Sequence, residues 1–162
     1  MTDSHNYAKV FEDALTGLLN NWRVWCGNDE IRALHIGFDS TNTEVSVSLL
    51  TDREPYLEDD EIEPLGARWP TADWRLTNIN ETSRHGFPDA AEVLEWMEEN
   101  ADELSDEELI LFNQKLKKMF FEIATGRAVL EQLAAFRNSS KSIKIRVEWF
   151  FDNEPLDATI TP

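Results

Sequence analysis

Carboxylates at helical spacing are the chain's most abundant chemical resource. Between Asp89 and Leu104 the apolar residues Ala90, Leu94, Met97, Ala101 and Leu104 form one stripe, and Asp89, Glu92, Glu95, Glu99, Asp102 and Asp106 form another at three- and four-residue steps. The spacing predicts a helix with one apolar side and one acidic side. Like charges at such steps cost on the order of a few tenths of a kcal/mol per pair, with no return in folding. The ridge can imitate a line of phosphates or complement a basic groove; it is also what an ordinary solvated helix face looks like. A second acidic group, Asp52, Glu54, Glu58, Asp59, Asp60, Glu61 and Glu63, crowds a stretch containing Pro55 and Pro64, so a solvated loop over 52–64 is expected. It lacks the alternating aspartates, glycine and closing glutamate of a calcium loop, and no metal site is expected.

Arg68-Trp69-Pro70-Thr71-Ala72-Asp73-Trp74-Arg75 is the most distinctive short stretch. Its two indoles suit either an aromatic clamp that pins a long loop or an exposed anchor for a partner, since Trp and Arg dominate interface hot spots. Nucleophilic chemistry has weaker support. Cys26, His5, His35 and His85 fall in unrelated contexts, and no G-x-S-x-G, H-E-x-x-H, Walker-type or G-x-G-x-x-G pattern occurs. No catalytic residue and no cofactor is therefore assigned. His35 reads as a packed strand histidine, and a hydrolase would require His35 or His85 to meet carboxylates in a cleft.

The chain has 162 residues, 32 acidic against 15 basic, and a formal charge of −17. That charge is unevenly placed. Residues 52–108 hold 19 acidic and 4 basic side chains, a net of −15, whereas 109–150 hold 3 acidic and 8 basic, a net of +5. Such a field repels nucleic acid and anionic lipid and accelerates encounter with a basic protein. The length suits one domain over 1–162 that buries roughly 70% of its unfolded surface. Neither a secretory signal nor a membrane-spanning run is apparent, and the single cysteine agrees with a reducing cytoplasm.

The elements that must carry these groups follow from periodicity. Tyr7, Val10, Phe11, Ala14, Leu15, Leu18, Leu19 and Trp22 predict an opening helix ended by Gly27 and Asn28. Residues 31–38 and 43–51 alternate around a turn, predicting a hairpin with Leu34, Ile36 and Phe38 on one side and Ile31, Ala33 and His35 on the other. Ser105 with Glu108 forms the pattern of a capping box and opens a helical spine over 105–136, with a kink or break expected at Gly126. Ile143, Ile145, Val147, Trp149 and Phe151 alternate with Lys144, Arg146 and Glu148, predicting a strand with one buried and one wet side that pairs with the hairpin. An extended tail over 152–162 with little periodicity follows, Ile160 being its one apolar anchor.

This order resembles a group of small acidic bacterial proteins that carry Trp-Ser-Pro-Ala-Glu-Trp after their opening strands and end in Leu-Asn-Pro. Trp69 and Trp74 match the outer motif positions and Asp73 the acidic one. Pro70 is displaced by one residue, Thr161-Pro162 matches only the final proline, and the family's glycine-rich approach to the last strand is absent around Phe136. The resemblance implies an immunity partner of a polymorphic toxin.

The sequence therefore predicts an α+β fold, a small mainly antiparallel sheet packed against three or four helices. The expected function is occlusion of a basic partner, a toxin or nuclease, through Glu58, Asp59, Asp60, Glu61, Glu92, Glu95, Glu99 and Asp102, anchored by Trp69 or Trp74. Mimicry of nucleic acid to inhibit a defence or restriction protein is the alternative, and a small hydrolase the third reading.

Overall fold

In a computed structural model of the chain, which describes residues 4–26, 28–52, 76–81, 91–136, 142–150 and 154–161, strand β1 (Ile31–Asp39) lies at the centre of the sheet. Its hairpin partner is β2 (Glu44–Thr51), and the edge beyond β2 is β3 (Leu76–Glu81). On the other flank lie β4 (Ile143–Trp149) and β5 (Leu156–Ile160), giving the order β3-β2-β1-β4-β5. β1 and β4 run parallel and the other three pairings are antiparallel. The predicted α+β class and mainly antiparallel sheet are correct.

Helix α1 (Ser4–Cys26) comes first, and α2 (Ala91–Ala101), α3 (Asp106–Ala124) and α4 (Arg127–Ala134) lie between β3 and β4. The helices and one sheet face share a core. Phe11, Leu15 and Leu19 of α1 meet Phe120 of α3 and Leu34, Ile36 and Phe38 of β1 in one buried cluster. The Phe11 and Phe120 rings lie 4.5 Å apart between centroids and Phe38 and Phe120 5.2 Å apart, within the range of favourable aromatic contact. Trp96 ties α2 to α1 by stacking on Tyr7 at 4.9 Å, and lies 5.8 Å from Phe112 of α3.

The spine divides where glycine is placed. α3 begins with the capping box: the Ser105 backbone N–H donates to Glu108 Oε2 at 2.9 Å, and Glu108 N–H donates to Ser105 Oγ at 3.3 Å. It ends at Ala124, and Gly126 caps the start of α4. A Cβ on Gly126 would stand 3.0 Å from the Glu122 carbonyl oxygen and 3.2 Å from that of Ile123, so the tight corner between the two helices uses the missing side chain.

Four sequence expectations need correction. Ile31 joins the core face with Leu34 and Ile36, because an irregularity between Ile31 and Ala33 shifts the register and breaks strict alternation. Arg146, expected on a wet face, is 7% exposed. The tail is no loose extension: Leu156–Ile160 pairs with β4, and Ile160 packs against the core. β3 had no counterpart in the periodicity reading, since Leu76-Thr77-Asn78-Ile79-Asn80-Glu81 is too polar and too short to stand out as a strand. The 52–64 loop, Asp52 excepted, lies outside the described residues.

Candidate functional site

Two groupings of chemically capable side chains emerge, one on the surface and one inside. The surface grouping is the solvent side of α2. Val93, Leu94, Trp96 and Met97 are buried, which turns Glu92, Glu95, Glu98 and Glu99 outward, and the helix contains no basic residue. Asp102 and Glu103 extend the exposed row past its C-terminus. Glu95, Glu98, Glu99, Asp102 and Glu103 together line one shallow depression of about 390 Å³. Concentrating charge on one side follows directly from spacing: once Leu94 and Met97 face the core, positions three and four residues apart must share the opposite side.

These carboxylates form no ion pair with any described residue. Cations elsewhere are engaged locally: Lys9 with Glu12 and Asp13, Lys118 with Glu122 and Arg127 with Glu131. Lys117 donates its Nζ proton to the Glu154 carbonyl oxygen at 2.7 Å. Lys117 and Lys118 of the spine are thus engaged away from α2. Of the predicted binding residues, Glu92, Glu95, Glu99 and Asp102 share this surface, while Glu58, Asp59, Asp60, Glu61, Trp69 and Trp74 lie outside the described residues. Glu98 and Glu103 belong to the same surface, and the sequence reading passed over them. Glu98 carried a legible signal, since it stands three residues after Glu95 and four before Asp102. Among the described residues no three His, Cys, Asp or Glu side chains converge as a metal site would require.

The inner grouping lies on the sheet face turned away from the helices. Ala33, His35 and Asp39 of β1, Ser46, Ser48 and Leu50 of β2 and Arg146 of β4 are all buried there. The register sets Ser48, His35 and Arg146 in one row across the three central strands, with Asp157 next on β5. His35 Nε2 lies 2.6 Å from Glu148 Oε1. Arg146 is bidentate to Asp157, Nε to Oδ1 at 2.7 Å and a terminal nitrogen to Oδ2 at 2.8 Å, geometry that satisfies a buried guanidinium. These two side-chain contacts hold the row in place. His35 is thus the packed strand histidine that was expected, and it also meets a carboxylate.

The chain matches no family model, no curated protein and no solved structure. Among the described residues no helix is long and apolar enough to cross a membrane.

Proposed function

We propose that this chain is an acidic binding protein that occludes a basic surface on a protein partner, as a toxin-immunity protein would. One observation carries the reading: the exposed side of α2 is acidic along its whole length, free of basic residues and unpaired with any described cation. Six uncompensated carboxylates on one short stretch raise the local negative potential, steer a cationic surface toward it and set its orientation on arrival. Folding gains nothing from them, so binding gives the arrangement a purpose. Trp69 and Trp74 are the proposed apolar anchors, and the cluster Glu58, Asp59, Asp60 and Glu61 the proposed second steering element, both on the strength of the sequence.

The test is a charge reversal. The chain is used as bait in its host lysate, the captured basic protein is purified, and its association with the triple variant Glu92→Lys, Glu95→Lys, Glu99→Lys is timed at several salt concentrations. Slower association and a flatter salt dependence are expected, with the circular dichroism spectrum unchanged. Equal capture by the folded triple variant sinks the reading. Duplex DNA added as competitor separates the two forms of occlusion: displacement by DNA marks a nucleic-acid-binding groove and favours mimicry, and indifference to DNA marks another basic surface.

A further inference from the structure

We propose that one edge of the sheet is a self-association surface: strand β5 pairs antiparallel with β5 of a second copy of this chain, about a two-fold axis at Ala158. β5 is the last strand of its flank, so one side of its backbone is bonded to β4 and the other has no strand beside it among the described residues. A row of outward N–H and C=O groups is a template for another strand unless something blunts it. The usual devices are missing here. Neither lysine nor proline stands within Leu156–Ile160, and the five pairs to β4 run in continuous register without a bulge. The strand's one charge, Asp157, is engaged bidentately by Arg146 of β4.

The apolar side of this edge is also left half-covered. Ile143, Ile145 and Val147 of β4 are buried, whereas the residues that face them on the same side of the sheet, Ile160, Ala158 and Leu156, are only partly buried. On the helix layer Lys117 Nζ reaches the Glu154 carbonyl oxygen, two residues before β5. Phe121 stands one turn further along the same side of α3 and is likewise partly buried. A strand added beyond β5 covers these side chains.

The residues of β5 select a second copy as the occupant and fix its register. Facing residues of paired strands share a sheet face, so a slip of one residue sets core-side groups against solvent-side ones. With Ala158 opposite Ala158 of the copy, Leu156 faces Ile160 and Asp157 faces Thr159, each pairing occurring twice about the two-fold axis. Apolar meets apolar, and a carboxylate meets a hydroxyl that can donate to it. The next in-phase register on one side opposes Asp157 to Asp157, a repulsive pair; on the other it sets Leu156 against Pro162, which has no N–H to give. The contact is short and each copy carries a charge of −17, so the dimer is a weak one that salt tightens.

The full-length chain is followed by sedimentation velocity from about 10 μM to about 1 mM, in about 0.05 M and about 0.5 M sodium chloride. A monomer–dimer equilibrium is expected, with more dimer at the higher salt. Capture of a basic protein on α2 has the opposite salt dependence, so the two readings stand or fall separately. Thr159→Asp opposes a second carboxylate to Asp157 in both halves of the contact and should raise the dimer Kd about 10-fold. Within its own chain the new carboxylate faces Lys144, so the melting temperature should hold. Thr159→Asn, which adds no charge, should keep most of the dimer. In a Cys26→Ser background, Ala158→Cys should be joined to its copy by a short bis-maleimide, because facing Cα atoms stand within about 5.5 Å. A chain that stays monomeric at the highest concentration and salt, a dimer indifferent to Thr159→Asp, or no cross-link from the folded Ala158→Cys chain overturns the proposal.

Discussion

At Gly37 the absence of a single methyl group decides how the inner sheet face is packed. A Cβ there would meet Phe150 Cε1 at 2.5 Å and His35 Cε1 at 2.9 Å, both well inside normal contact. The phenyl ring can swing outward because Phe150 is partly exposed, but the imidazole is held by Glu148 on a central strand. Gly37→Ala is therefore expected to destabilise the fold by about 1–3 kcal/mol, the usual scale of overpacking, as a lower midpoint in urea denaturation. Adding Phe150→Ala should restore part of the loss, because it removes the nearer of the two clashes; an additive double variant would show that the ring is not the obstacle. The alternation Ile31 to Phe38 placed His35 mid-strand opposite the core side. Its partner was not legible, for Glu148 is 113 residues away and meets it only through the parallel pairing of β1 with β4.

Helix ends and helix faces set the behaviour of the elements. The Ser105 backbone N–H, and secondly its hydroxyl, hold the Glu108 carboxyl below its ordinary range. Because the folded value is the lower one, this contribution is complete above the ordinary glutamate range and is lost as pH falls through the depressed value. Ser105→Ala should cost about 1 kcal/mol near pH 7. The gap between its melting temperature and that of the wild type should narrow as pH falls through the ordinary glutamate range and below it, as Glu108 becomes protonated; a gap that is constant with pH would show that Glu108 takes no part. On α2 the sign is reversed. Glu95 and Glu99 stand one turn apart with like charge, so Glu95→Gln with Glu99→Gln should raise stability by on the order of a few tenths of a kcal/mol. The same change should weaken capture of a basic partner. Loss of stability in that double variant would mean that these carboxylates serve the fold. The cap, the acidic stripe and the break at Gly126 were all legible in sequence, because each is written within one or two turns of chain. The short polar strand β3 was not, because only its pairing with β2 makes it a strand.

For the molecule as a whole, a charge of −17 concentrated between residues 52 and 108 is a standing repulsion that salt relieves. Raising sodium chloride from about 0.01 M to about 0.5 M shortens the screening length several-fold, so the melting temperature should rise. A fall would mean that ion pairs such as Arg146 with Asp157 outweigh the repulsion. The sequence by itself determined the inward side of α1, where α3 is capped, that the spine breaks near Gly126, and that charge is segregated along the chain, whereas Val93 and Trp96 of α2 are buried outside the stripe that spacing marked. Periodicity, capping and like-charge spacing act between near neighbours, so composition and order are enough to read them. Tertiary structure alone decided the strand order, the parallel placing of β4 beside β1, the recruitment of the tail as β5 and the burial of Arg146. It also decided that Ser48, His35 and Glu148 are neighbours. Those contacts depend on which strand lies next to which, and that is settled by the common core the helices and sheet must close together, not by any local signal.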